Sequence, residues 1–145
     1  MRPHFATVGE IKKTNVLSAK TETSAYQVAL SLLDSSFQGM PIVDAENRVV
    51  GKITENDLLK ALLEGKDLEK MEAGEIMQRC PVVIETDTPV EEAVRYMIEL
   101  HLLRIPVVDQ RGRLIASVTR HDLLRGWLGV WVNDERRGYV NLRFV

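Results

Sequence analysis

The chain has 145 residues, enough for one ordinary domain with a buried core. Hydrophobic residues make up 45% of the chain and charged residues 28%, and a net charge of -2 gives no general attraction for nucleic acid or anionic lipid. No apolar run approaches the roughly 20 residues that span a bilayer, no secretory segment opens the chain, and Cys80 is its single cysteine. We therefore expect a cytoplasmic protein without an internal disulfide or a cysteine zinc cluster, with Cys80 buried before a strand.

Apolar β-branched runs, turn residues and amphipathic stretches alternate along the first half of the chain. They predict strands where the runs are short and continuous, and helices where apolar residues recur every three or four positions. In chain order we expect an N-terminal arm at 1–8, a strand at 16–18, a helix capped by Ser24, strands at 40–43 and 49–54, and a helix at 55–63.

The second half repeats this order after a charged connector at 66–73, which we expect to be solvated. In chain order we expect a strand at 81–84, a helix opened by Pro89, strands at 105–108 and 113–119, and a helix from 120 to about 128. In the tail, 129–145, Val140, Leu142 and Phe144 alternate as in a strand, and Trp131 lies one helical turn after Trp127. We expect the tail to pack on the domain or to form a subunit contact.

The two halves are copies of each other. Subtracting 65 from the positions of Pro106, Asp109, Thr119 and Asp122 gives Pro41, Asp44, Thr54 and Asp57. This constant offset holds from about residue 9 to 128, so the copies are residues 9–65 and 74–128. Each copy reads as β-α-β-β-α. One copy alone would leave a sheet face uncovered, whereas the pair can bury both faces.

The segments Thr54–Asp57 and Thr119–Asp122 each lie where a strand runs into a helix. One interpretation is a capping box, in which threonine and aspartate satisfy the free N–H groups at the start of the helix. The other is a ligand site, because a helix N-terminus attracts phosphate and an ionised carboxylate accepts hydrogen bonds from two ribose hydroxyls. Two copies at one offset strengthen the second interpretation, and both remain open.

These residues resemble a tandem pair of CBS motifs, the arrangement called a Bateman module. The resemblance covers about residues 9–128 and rests on Met40-Pro-Ile-Val-Asp44 with Val50-Gly-Lys-Ile-Thr-Glu-Asn-Asp-Leu-Leu59, and on Ile105-Pro-Val-Val-Asp109 with Ile115-Ala-Ser-Val-Thr-Arg-His-Asp-Leu-Leu124. It implies an α/β (α+β) fold of two pseudo-twofold related β-α-β-β-α motifs packed through their sheets. It also implies a homodimer and two clefts between motifs that bind AMP, ADP, ATP or S-adenosylmethionine.

The resemblance also assigns roles to residues. Asp57 and Asp122 would hold ribose, and Thr54 and Thr119 would lie on the phosphate side, although Ala116 replaces the glycine that Gly51 supplies in the first copy. The base would lie against the opposite motif. In the Asp122 cleft the base would contact Lys12, Leu17, Gln38, Gly39, Met40 and the adjoining Pro41, and in the Asp57 cleft Met77, Val82, Leu103, Arg104 and Ile105.

The two clefts are expected to differ. Gly39 lets a planar base approach its backbone, whereas Arg104 at the equivalent position would crowd a base beside Asp57. On the Asp122 side, Arg104 is expected to reach a phosphate, with Arg120 and His121 nearby, so we expect Asp122 to mark the better site. For Arg104, Arg120 and His121 the alternative is an ordinary surface role.

The main functional hypothesis is a regulatory module that senses an adenosine-containing ligand and is read by an unidentified effector protein. The alternative is a ligand-free structural or dimerisation module that acts through protein contacts. An enzyme is disfavoured because the sequence has no nucleophile motif, no Walker loop and no metal-ligand spacing around His4 or His101. The charge balance disfavours nucleic-acid binding apart from a local basic patch at Arg136 and Arg137.

Overall fold

The computed structural model describes residues 1–11 and 16–130. Seven strands and five α-helices lie in these ranges, together with two 3-10 turns, Val8–Glu10 and Leu68–Lys70. The elements are, in order, β1 Ala19–Lys20, α1 Ala25–Ser35, β2 Gly39–Val43, β3 Val49–Thr54, α2 Glu55–Leu63, α3 Ala73–Ile76, β4 Gln78–Arg79, β5 Ile84–Glu85, α4 Val90–Glu99, β6 Arg104–Val108, β7 Leu114–Thr119 and α5 Arg120–Leu128. No helix in the described ranges is long and apolar enough to cross a membrane.

The described residues form two compact units that do not coincide with the two sequence copies. One unit consists of residues 1–11, 84–107 and 116–130, and the other of residues 16–83 and 108–115. Each unit therefore takes most of one copy and a smaller piece of the other. Below, the first is called the Asp122 unit and the second the Asp57 unit.

The Asp57 unit is built on a four-stranded sheet in the order β1-β2-β3-β4. β1 pairs parallel to β2, β2 antiparallel to β3, and β3 antiparallel to β4, with an irregularity between Ile42 and Val43. Ala25, Val28 and Leu32 of α1 and Leu58 and Ala61 of α2 are buried, which explains the helical spacing of these residues. The buried core consists of Ala25, Val28, Leu32, Met40, Ile42, Ile53, Leu58, Ala61, Leu68 and Ala73.

The second sheet has the order β5-β6-β7, and α4 packs against α5. Most of this layer lies in the Asp122 unit. Ile105, Val107 and Val118 of its strands are fully buried. The mixed α+β architecture is the expected fold class.

A short segment precedes each sequence copy and packs on the unit named for the aspartate of the other copy. Gly9 N donates to Thr86 O at 2.7 Å, and Gly74 N donates to Thr21 O at 2.9 Å. These two bonds are equivalent under the offset of 65. The same symmetry relates the bridge of Thr7 with Pro89 to the bridge between residues 24 and 72. The N-terminal arm and the connector are therefore equivalent, packed segments.

The turns between β2 and β3 and between β6 and β7 are also copies. Asp44 accepts from Arg48 N at 2.9 Å and Nε at 2.8 Å, and Asp109 accepts from Arg113 N at 2.9 Å and Nε at 2.7 Å. Because these donors stabilise the ionised form, led by the backbone N–H, the pKa of both carboxyls lies below the usual value. The duplication thus extends to individual hydrogen bonds.

Several local predictions were wrong. The strand expected at 16–18 lies at Ala19–Lys20, where its backbone pairs with Ile42 and Val43. The strand expected at 81–84 is reduced to Ile84–Glu85, the position that corresponds to Ala19–Lys20 under the offset of 65. The preceding Gln78–Arg79 pairs with β3 instead.

The expected solvated connector and the expected buried cysteine were also wrong. Leu68, in the middle of the connector, is 7% exposed and joins the core, since it is the apolar residue of an otherwise charged turn. Cys80 is exposed and has a φ of 54°, so the chain makes a left-handed turn there and directs it outward. The tail predictions for Trp131, Val140, Leu142 and Phe144 lie outside the described residues.

Candidate functional site

Both strand-to-helix junctions form the predicted capping boxes. At the start of α2, Thr54 Oγ1 accepts from Asp57 N at 3.3 Å, and Asp57 Oδ2 accepts from Thr54 N at 2.8 Å. At the start of α5, Thr119 Oγ1 accepts from Asp122 N at 3.1 Å, and Asp122 Oδ2 accepts from Thr119 N at 2.8 Å. Each box places one carboxylate at the positive end of a helix.

The carboxylate of Asp122 is buried and ion-paired. Its exposed fraction is 0%, and Oδ1 accepts from Arg125 Nη2 at 2.8 Å. Arg125 lies one helical turn further along α5, and its side chain is 26% exposed. Among the described residues, Arg125 Nε is buried and finds no hydrogen-bond partner. The pair thus leaves the buried Nε–H without a partner among the described residues.

Arg104, at the start of β6, contributes a second positive charge near Asp122. Partial burial lowers the pKa of Arg104, because desolvation disfavours the charged form, and attraction to Asp122 opposes this shift. Arg120 and His121 are exposed at the first turn of α5. Two positive side chains, Arg125 and Arg104, therefore interact with the charge of Asp122.

The carboxylate of Asp57 has a neutral partner and is partly exposed. Both of its oxygens accept from Gln78 Nε2, each at 3.0 Å, and Thr54 Oγ1 donates to Oδ2 at 2.9 Å. Gln78 reaches this position because β4 pairs with β3, where Lys52 is its partner. The two junctions share a backbone geometry and differ in the side chain that holds the aspartate.

Gly51 makes the close approach of β4 possible. A Cβ at this position would overlap the side chain of Met77 and lie 2.9 Å from Gln78 O. In the second copy the same position is Ala116, which is 8% exposed. The requirement for glycine in the first copy therefore comes from the packing of β4.

The residues predicted to contact a base occupy varied surroundings. Gly39 pairs with Thr54, and a Cβ on Gly39 would lie 3.0 Å from Ile53 O, so β2 begins beside the Asp57 junction. Gln38 is exposed, and its carbonyl accepts from Glu55 N at 2.9 Å. Met40 and Pro41 are buried in β2, Ile105 is buried in β6, Leu17, Met77 and Val82 are partly buried, and Leu103 is exposed. Lys12 lies outside the described residues.

Sequence reasoning missed Arg125 and Gln78 as partners of the aspartates. For Arg125 a signal was present, because residues three apart on a helix are neighbours and an Asp–Arg pair at that spacing is favourable. For Gln78 no local signal existed, since its contact with Asp57 depends on the pairing of β4 with β3.

Comparison with known proteins places these features in a family. The profile of the CBS domain matches residues 8–64 and 73–129. An uncharacterised protein of Methanopyrus kandleri is 32% identical over 119 residues, which are 81% of this chain. The match spans 61% of that relative, less than two thirds of its length.

Two solved structures with bound ligands are similar to this chain. CBSX2 of Arabidopsis thaliana, solved in complex with AMP, is 28% identical with a TM-score of 0.73, covering 86% of this chain and 98% of that one. The CBS domain pair of protein MJ0100, solved in complex with 5′-methylthioadenosine and S-adenosyl-L-methionine, is 30% identical with a TM-score of 0.70, covering 85% and 96%. The chain therefore belongs to the CBS domain family and carries two CBS domains in tandem.

Proposed function

We propose that this chain is a regulatory module, without catalytic activity, that binds an adenosine-containing ligand and signals its presence through a change of conformation. The observation that carries the proposal is the repeated Thr-x-x-Asp junction, which sets a carboxylate beside a helix N-terminus in both copies. The ligands bound by CBSX2 and MJ0100 support the class of molecule. AMP, ADP, ATP and S-adenosylmethionine are the candidates, and an effector protein reads the response.

In this proposal Asp57 and Asp122 hold the ribose hydroxyls, and Thr54 and Thr119 lie on the phosphate side. A ribose at Asp57 displaces the amide of the exposed Gln78. A ribose at Asp122 displaces Arg125 from a buried carboxylate, and the guanidinium then needs another anion. The Asp122 junction, with Arg104 beside it, is the stronger candidate for a phosphorylated ligand.

We expect Asp122→Asn to weaken binding of the preferred adenosine ligand more than Asp57→Asn does. The amide keeps the size of the side chain but loses the negative charge, and only one of its two polar atoms can accept a hydrogen bond from a ribose hydroxyl. We therefore expect the affinity to fall by about tenfold or more in Asp122→Asn. Titration calorimetry of both variants with AMP, ADP, ATP and S-adenosylmethionine measures the difference.

The wild-type titrations test the proposal itself. Binding of none of the four ligands at millimolar concentration contradicts the sensing function. Equal losses in Asp122→Asn and Asp57→Asn contradict the preference for the Asp122 junction and leave the sensing function standing.

A ligand-free structural or dimerisation module is the second candidate function. The observation that favours it is that both carboxylates already have internal partners, Arg125 for Asp122 and Gln78 for Asp57. Capping boxes alone stabilise helices and require no ligand. A stable dimer whose melting temperature does not change with any of the four ligands supports this candidate over the first.

We propose that the chain forms homodimers through helix faces that both copies leave apolar. Large side chains are exposed at the same three positions of each copy. They are Leu33 at 73%, Leu59 at 63% and Leu63 at 90% in the first copy, and Ile98 at 68%, Leu124 at 60% and Leu128 at 47% in the second. The proposed partner is a second molecule of this chain, because a twofold axis brings the same apolar faces of two molecules together.

We expect the double variant Leu59→Glu, Leu63→Glu to be monomeric under conditions in which the wild type is dimeric, because two carboxylates would be desolvated in the interface. Sedimentation velocity measures the assembly state. Lys60→Ala, on the same helix, is the matched control and should remain dimeric. An unchanged dimer in the double variant contradicts this interface.

A further inference from the structure

Arg125 and Asp122 form a buried contact that the other copy lacks. Arg125 Nη2 donates to Asp122 Oδ1 at 2.8 Å, and the carboxylate has no exposed surface. The position equivalent to Arg125 in the first copy is Lys60. Within residues 1–11 and 16–130, no ion pair joins Lys60 to Asp57, whose side-chain partners are Gln78 and Thr54. In the first copy, uncharged side chains thus hold the aspartate.

The helix that carries Arg125 is fixed on its other side. A Cβ on Gly126 would overlap Ile11, which is 2% exposed, so the N-terminal segment packs directly against the α5 backbone. His4 N also donates to Trp127 O at 2.8 Å. Because these contacts hold α5, we expect Asp122 to be released by rotation of the Arg125 side chain.

Arg125 also retains binding capacity in the paired state. Its Nε, buried, has no partner among the described residues, and its side chain is 26% exposed. A guanidinium presents five donors in a planar fork that matches a phosphate group. The same side chain is therefore suited either to close over Asp122 or to bind an anion.

We propose that Arg125 is a latch that selects phosphorylated adenosine ligands at the Asp122 junction. This inference rests on the proposed function, since it assigns a ligand class to the same site. A ligand ribose takes the place of Arg125 on Asp122, and the ligand phosphate gives the displaced guanidinium a new anion. An uncharged nucleoside offers no such replacement, because it leaves Arg125 without its counter-ion.

The charge around the site supports this selection. Arg104 lies close enough to Asp122 to feel its charge, and its partial burial lowers its own pKa. Arg125, through an ion pair, and Arg104, through longer-range attraction, therefore both act on one carboxylate. A phosphate relieves their excess positive charge, whereas the sulfonium of S-adenosylmethionine adds to it.

Titration calorimetry of the full chain with AMP and with adenosine tests the latch. The readout is the ratio of the two dissociation constants. In the wild type we expect the dissociation constant of AMP to be lower than that of adenosine by about tenfold or more. In Arg125→Ala and Arg125→Gln we expect this preference to fall by about tenfold, because AMP loses a charged partner while adenosine no longer has to displace one. Arg125→Lys should keep most of the preference, and Lys60→Ala should match the wild type.

The variants separate a latch from a merely structural role. Arg125→Gln keeps a hydrogen-bond donor for Asp122, so it provides a folded test if Arg125→Ala unfolds. A preference that is unchanged in Arg125→Gln, or affinities for AMP and adenosine that fall by the same factor, overturns the latch. A wild type that binds AMP and adenosine equally also overturns it but leaves the sensing function standing. A wild type that binds no adenosine ligand contradicts both proposals.

Discussion

Asp122→Ala is expected to lower the free energy of unfolding by about 3 kcal/mol, three times the loss of about 1 kcal/mol expected for Asp57→Ala. Both substitutions remove a capping carboxylate from a helix N-terminus. Only the first also leaves a partly buried guanidinium without its counter-ion, because Arg125 pairs with Asp122 at 2.8 Å. Urea denaturation followed by circular dichroism measures both values.

The double variant Asp122→Ala, Arg125→Ala provides the control for this difference. Removing both partners eliminates the unpaired charge, so we expect it to be more stable than Asp122→Ala alone. A loss in Asp122→Ala no larger than that in Asp57→Ala contradicts a stabilising role for the ion pair.

Gly51→Ala is expected to lower the free energy of unfolding by about 2 kcal/mol, because a methyl group must displace both Met77 and the backbone of Gln78. The displacement of β4 also removes Gln78 from Asp57. We therefore expect the β3–β4 amides to exchange faster with solvent than in the wild type. Urea denaturation and hydrogen exchange measure these two effects.

The reverse change in the other copy, Ala116→Gly, is the matched control. It removes a methyl and adds backbone freedom in a strand, which costs about 1 kcal/mol without displacing a neighbouring strand. Unchanged stability and unchanged hydrogen exchange in Gly51→Ala would show that Met77 and Gln78 can move aside without a loss of stability, which contradicts this prediction.

The sequence predicts those structural features that both copies encode at matching positions. The capping boxes of Thr54 with Asp57 and of Thr119 with Asp122 were predicted because a short local motif determines them. The mixed α+β fold followed from the same repetition, since strand and helix patterns recur in order.

The features that the sequence did not predict depend on contacts between distant residues or on single backbone angles. Gln78 meets Asp57 only through the pairing of two strands, and no local pattern determines that pairing. Leu68 appeared solvated because its neighbours are charged, yet one apolar side chain sufficed to place the turn against the core. Cys80 was misplaced because its positive φ is not encoded by a residue type that favours it.

The reciprocal docking of the leading segments has an evolutionary consequence. Residues 7–9 complete the unit that contains Thr86 and Pro89, and residues 72–74 complete the unit that contains Thr21 and Ser24. A half-length ancestor with a single motif would have had to exchange this segment with a second molecule in order to fold. Gene fusion would then have converted an obligate swapped pair into one polypeptide, and we expect neither motif of this chain to fold as an independent module.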